Sequence, residues 1–290
     1  MKRTLAVILS LILLLGLTAC GQAPNTTPSS GSGSQSAPGP APLRRITFGT
    51  AGTAGALYPM GVAMAETITN HVEGIAATGE ATAASVENLR GLHEGNMGLA
   101  ISQTEVASYA YYGKLDYENN AFTDIRALFS TINNYLQVFV PANSDIKSIE
   151  DLKGKTVAVG AAGSGGELAA RGLLLSYGII YDEINPQFMP DSEAASALKD
   201  GKIAAMIVTH PINSAALTEL TSSMTTRLLS IENEEFYKTY SAYSKYTIPT
   251  DTYKGIDVDV VIPRSRIIVC GSTNSGLSDD DYYNIVKAIW

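Results

Sequence analysis

Cysteine is almost absent from this chain: Cys20 and Cys270 are the only two in 290 residues. Histidine is also scarce, with His71, His93 and His210 far apart and without paired metal-ligand spacing, so a structural zinc site is not expected. No basic stripe is present. Without Lys2 and Arg3, 18 basic residues face 28 acidic ones, a charge of −10, which argues against a nucleic-acid partner. The longest apolar run, Leu5 to Leu17, is too short to span a bilayer comfortably.

That run has the length of a signal-peptide core, and Lys2 and Arg3 supply the positive segment before it. It ends in Leu17-Thr18-Ala19-Cys20, which resembles a bacterial lipobox. The resemblance implies cleavage before Cys20 and lipidation of its sulfur, hence an extracytoplasmic protein anchored to the cell membrane. With Cys20 lipidated no intramolecular disulfide remains, and Cys270, in the run Ile267-Ile268-Val269-Cys270, reads as a small buried hydrophobe. From Gly21 to Pro42 the residues are Pro, Gly, Ser, Thr, Ala, Asn and Gln, with no charge and no aromatic ring. Such a segment cannot bury enough apolar surface to offset its ordering entropy. Residues 1–20 therefore read as a lipoprotein signal, 21–43 as a disordered tether and the remainder as the folded body.

Within the body, strand-like and helix-like stretches alternate. Ile46-Thr47-Phe48, Ile75 to Thr78 and Met97 to Ser102 are β-like; Leu57 to His71, Ser85 to Glu94 and Glu105 to Tyr112 are helix-like. The alternation predicts an α/β architecture with mixed, mostly parallel sheets flanked by helices.

Two features occur twice. Gly49-Thr50-Ala51-Gly52-Thr53-Ala54-Gly55 and Gly160-Ala161-Ala162-Gly163-Ser164-Gly165-Gly166 both follow a β-like run and precede a helix, 111 residues apart. The acidic-Gly turns at Glu94-Gly95 and Asp200-Gly201, each leading into an apolar strand, are 106 apart. Two matches in the same order predict two lobes of similar topology, each with a glycine loop at the carboxyl edge of its sheet, where open α/β sheets bind ligands.

The loops suit an anion, because converging N–H groups and a helix N-terminus both favour negative charge. Sharper assignments fail on residue identity. A Walker loop needs Lys-Ser/Thr where Gly166-Glu167 stands; a dinucleotide loop needs G-x-G-x-x-G; a nucleophile elbow needs glycine where Ala162 stands. No cofactor and no chemistry are expected. Ser164 reads as a ligand-binding hydroxyl, a helix cap, or, in the runner-up reading, the nucleophile of a secreted serine hydrolase.

Gly49 to Gly61, Ser85 to Arg90, Ile146 to Lys155, Val159 to Glu167 and Thr247 to Tyr253 together resemble the TAXI family, the extracytoplasmic solute receptors of TRAP transporters. The resemblance runs from about Ile46 to the C-terminus. It implies a two-lobed periplasmic-binding-protein clamp (type II-like) that binds a small carboxylate or amino acid, such as glutamate or 2-oxoglutarate, and delivers it to a sodium-driven TRAP permease. The lobes are expected at 44–135 with 258–290, and at 136–257. A sensor-coupled binding lipoprotein is a further alternative. The sequence departs from the family at Leu57, where a tyrosine is common before Tyr58, at Gly166, where threonine is common, and in stopping at Trp290 inside an amphipathic run.

The expected ligand-binding residues are Thr53, Tyr58, Ser85, Asn88, Gln103, Gly163, Ser164, Gly165, Gly166 and His210. Ser85 and Asn88 are an i, i+3 pair opening a helix, with simple capping the alternative. Gln103 follows an apolar strand, at the edge where cleft residues sit. His210 ends a later strand and is taken as the counterpart of Gln103. Arg90, Arg126 and Arg171 are all candidates to pair a carboxylate. Tyr237, Tyr240, Tyr243 and Tyr246, and Tyr109, Tyr111 and Tyr112, read as packing residues.

Overall fold

A computed structural model of the protein describes residues 42–53, 55–212 and 214–290. The leader with its Cys20, and all of the tether but Pro42 and Leu43, lie outside the described residues. In chain order the body consists of β1 (Arg44–Gly49), α1 (Leu57–His71), β2 (Ile75–Glu80), α2 (Ser85–His93), β3 (Leu99–Gln103), α3 (Thr104–Tyr112), β4 (Ile125–Pro141), β5 (Thr156–Ala158), α4 (Gly165–Ser176), β6 (Asn185–Gln187), α5 (Asp191–Lys199), β7 (Ala205–His210), α6 (Ala215–Ser223), β8 (Thr226–Leu228), α7 (Glu234–Thr239), β9 (Ser244–Ile248), β10 (Val260–Ser272) and α8 (Asp279–Ile289). None of the described helices is long and apolar enough to cross a membrane.

The strands follow the order β2-β1-β3-β10-β4-β7-β5-β6, with β8 beside β4 and β9 beside β10. Parallel pairs lie toward each end: β1 with β2 and β3, and β5 with β6 and β7. Antiparallel pairs fill the middle, where β10 and β4 run side by side. These two strands are shared by both halves. β4 pairs with β10 up to Tyr135 and with β7 from Tyr135 onward. β10 pairs with β9 over Val260 to Arg264 and with β3 over Ile267 to Cys270, with a register shift against β4 between Arg266 and Ile268.

The local reasons for the elements are ordinary. α1 buries Gly61, Ala65 and Ile68, a stripe at helical spacing. β3, flanked on both sides, is buried at every residue, as a central strand between helix layers requires. α8 starts with a reciprocal capping box between Ser278 and Asp281. The Tyr282 hydroxyl of α8 donates to the carbonyls of Gly98 and Ser272 and accepts from the Ser272 N–H, fixing α8 against β3 and β10. Cys270 is fully buried in the core, and burial pushes its thiol up to about 12.

Of the tyrosines, Tyr240 and Tyr243 are buried and pack at tilted angles against Phe236, whereas Tyr112 is exposed. The regular spacing from Tyr237 to Tyr246 does not lie on one helix: α7 ends at Thr239, and Tyr246 is in β9.

Candidate functional site

The repeated topology places the carboxyl edges of the two parallel strand sets around one cavity of about 350 Å³. Its wall includes the first residues or cap residues of six helices: Ala56 and Leu57 at α1, Ala84 at α2, Gln103 at α3, Ser164 to Gly166 at α4, Pro190 to Ser192 at α5, and Ala216 at α6. Each helix start carries up to about half a positive charge and free N–H groups. Among the described residues no arginine or lysine lines the cavity, and its ionisable side chains are Asp191 and His210.

The sequence candidates divide by position. Gln103, Ser164, Gly165, Gly166 and His210 line the cavity; Thr53, Tyr58, Ser85, Asn88 and Gly163 do not. Thr53 is exposed in the first glycine loop, whose neighbours Gly52 and Gly55 do reach the wall. Tyr58 is on α1, next to Leu57, the residue that is part of the wall. Asn88 is fully buried, and its amide nitrogen donates to the carbonyls of Thr50 and Ile101, both at 2.7 Å. It ties the first glycine loop to β3. Ser85 accepts from the Gln103 N–H at 3.0 Å and supports the wall from behind.

Ser164 caps α4, its hydroxyl accepting from the Glu167 N–H at 3.1 Å. Gly160, with φ +93°, makes the turn that brings this cap to the strand edge. Gly165 is a close approach between the two halves: a Cβ on it would sit 2.7 Å from both Gln103 Oε1 and Ser85 Oγ. Any larger residue would force the Gln103 or Ser85 side chain to shift.

His210 Nε2 is bonded to Asp191 Oδ2 at 2.9 Å, and both residues line the cavity together with Ser164. No hydrogen bond joins Ser164 to His210 among the described residues. The repeat offset of 106 carries Gln103 onto Thr209 rather than His210. In the structure it is Thr209 whose Oγ1 lies 2.8 Å from the Gln103 amide, joining the ends of β3 and β7 across the cavity.

None of the three arginines lines the cavity. Arg171 pairs with Asp116 and Glu167, and Arg126 donates to the carbonyls of Thr123 and Ile125.

Sequence reasoning missed several wall residues. Asn134, in β4 at the crossing between the halves, is 2% exposed and lines the cavity. Asp191 and Ser192 open α5 after Pro190, a helix-start signal that would have located them. Ala84, the cap of α2, has φ +70° and ψ −141°, a conformation an L-residue with a Cβ rarely adopts.

Solved structures with this architecture include the alkanesulfonate-binding protein SsuA from Xanthomonas axonopodis pv. citri bound to MOPS, at TM-score 0.51 and 15% identity over 86% of this chain and 74% of that one. A putative L-cystine ABC transporter protein from Listeria monocytogenes matches at TM-score 0.51 and 16% identity, over 85% of this chain and 89% of that one. A protein from Bordetella bronchiseptica RB50 matches at TM-score 0.53 and 16% identity, over 84% and 68%. At these identities the likeness is one of fold: a two-lobed, periplasmic-binding-protein-like α/β fold with a mixed sheet flanked by helices. The sequence itself matches the model of the NMT1-like family over residues 48–290, and the chain belongs to that family.

Proposed function

We propose that the protein is a solute receptor that captures a small polar anion, an amino acid or carboxylate such as glutamate or 2-oxoglutarate, between its two lobes. The observation that carries this reading is the convergence of six helix N-termini on one cavity. Neutral N–H groups there would hold a carboxylate without a cationic side chain, as helix N-termini hold anions elsewhere. The Asn134 amide in the wall supplies a further polar contact, and the volume is at the small end of the range for small-molecule sites.

Gln103, Ser164, Gly165, Gly166, Thr209 and His210 are the contacts this reading assigns to the solute. Asn88, Ser85 and Gly163 serve it by shaping the wall and its loops. The lobes divide at 44–135 with 258–290, and at 136–257, and bending where β4 and β10 change partners would open the cleft. A lipid anchor at Cys20 and a TRAP-type permease as recipient complete the reading. The motif order shared with the TAXI family supports them.

A thermal-shift screen of amino acids, dicarboxylates and keto acids tests it. A ligand at 100 times its Kd adds roughly 2.7 kcal/mol of stability. If no small anion raises the melting temperature, the receptor reading fails.

One observation favours a second reading. The His210–Asp191 pair shares the cavity with Ser164, which is the residue set of a serine hydrolase. The capping bond from the Glu167 N–H to Ser164 and the missing Ser164–His210 bond weigh against it. Covalent labelling of Ser164 by a fluorophosphonate, lost in Ser164→Ala, would replace the receptor reading with the hydrolase one.

A further inference from the structure

Two residues behind Gln103, the carboxyl of Glu105 is buried with 1% exposure. It lies where the halves meet. Its Oε1 accepts from the Tyr243 hydroxyl, just before β9, at 2.8 Å, and its Oε2 has no hydrogen-bond partner among the described residues. The other groups facing it are Tyr109 on its own helix, which in turn packs against Tyr240 after α7, and the Ser265 hydroxyl of β10. None is a cation, and the nearby Arg171 is committed to Asp116 and Glu167.

The Gln103 amide sits between this carboxyl and the cavity. In one orientation its nitrogen donates to Glu105 Oε1 at 2.9 Å and to the Gly165 carbonyl at 3.2 Å, while its oxygen accepts from Thr209 Oγ1 at 2.8 Å. In the other, its nitrogen donates to Thr209 Oγ1 at the same distance, and its oxygen faces Glu105. The first suits an ionised Glu105, which only accepts; the second suits a protonated Glu105, which can donate to the amide oxygen.

We propose that Glu105 is a positioning residue for the cavity: its proton decides which end of the Gln103 amide faces Thr209, and hence whether that pair offers a solute acceptors or donors. The proposal rests on the receptor reading only for its consequence, because the switch itself needs no solute. With Glu105 ionised, the Thr209 hydrogen is spent on Gln103 and its lone pairs face the cavity, ready for an ammonium, amide or hydroxyl hydrogen. With Glu105 protonated, Thr209 accepts from Gln103, and its own hydrogen is free for a carboxylate or carbonyl. The protonated state also gives up the bond to the Gly165 carbonyl, one of the contacts between the halves. The proton comes from solvent and returns to it. Burial pushes the Glu105 carboxyl up to about 7, against the opposing pull of its own backbone N–H, Tyr243 and Ser265, so both states are populated near neutral pH.

The test is a titration of the Gln103 side-chain NH2 resonances in the full chain, with no solute added, between about pH 5.5 and 8.5. Their disappearance in Gln103→Met identifies them. In the wild type they should move with one midpoint near 7. Glu105→Gln should abolish the titration. Tyr243→Phe should move the midpoint up, because the carboxylate loses a donor; this arm stands if Glu105→Gln fails to fold. Resonances that stay fixed in the wild type, titrate unchanged in Glu105→Gln, or keep their midpoint in Tyr243→Phe overturn the proposal. A failed solute screen with an intact titration would instead remove the receptor reading and leave the switch.

Discussion

Replacing Glu105 by glutamine should change how stability depends on pH, by an amount that follows from the burial of this carboxyl. Its ordinary value is 4.5 and its folded value about 7, with desolvation the largest cause. Below about pH 4.5 the folded and unfolded chains both hold the proton. Between there and about pH 7 the folded chain keeps a proton that the unfolded chain has shed. Each pH unit in that window therefore removes about 1.4 kcal/mol of stability. Above it both states are ionised and the loss is complete, at about 3 kcal/mol. Glutamine has nearly the same shape, can still accept from Tyr243, and titrates in neither state. Urea unfolding of both proteins from pH 4.5 to 8, followed by circular dichroism, isolates this one group, because other titrations cancel in the difference. The variant should gain about 3 kcal/mol on the wild type across the range. Two curves that stay parallel within about 1 kcal/mol would refute the reasoning, since a carboxyl without a cation at 1% exposure would then be ionised at no cost.

Two further substitutions test the walls of the cavity. Asn88→Ala removes the side-chain donor to the Ile101 carbonyl and leaves the Thr50 carbonyl with the Thr82 hydroxyl, so urea unfolding should show a loss of about 1–3 kcal/mol. Ala84→Gly relieves a backbone conformation that costs about 1–3 kcal/mol and adds the entropy cost of glycine, so the melt should show a net gain of about 1 kcal/mol; destabilisation would mean that Ala84 is not strained.

Much of this architecture was readable because its signals are local. The span Leu57–His71 follows from apolar spacing alone and matches the helix end to end. The glycine loops and acidic-Gly turns revealed the repeat, since each depends on a few adjacent residues. Even Thr209 was within reach: adding the repeat offset to Gln103 gives its number. What stayed hidden depends on distant pairing. β4 is one strand of 17 residues with no break, yet its partners change at Tyr135, and nothing local in Asn133-Asn134-Tyr135 reports that. Asn134 reaches the cavity wall only because of that crossing. Asn88 has the composition of a ligand contact, and only the positions of Thr50 and Ile101 show that backbone carbonyls occupy its donors. Tyr243 and Glu105 are 138 residues apart, and no spacing rule joins them.

The strand order also has a consequence in time. Among the described strands β10 comes last in sequence, yet it lies between β3 and β4 in the sheet. The segment containing β5, β6 and β7 is complete in sequence well before that, whereas β1, β2 and β3 must wait with an unpaired edge for a strand made some 160 residues later. The half whose first strands are made earliest is thus the half whose set of strands is completed last in sequence. Until β10 appears, β3 has no neighbour among the described strands on the side that faces β4.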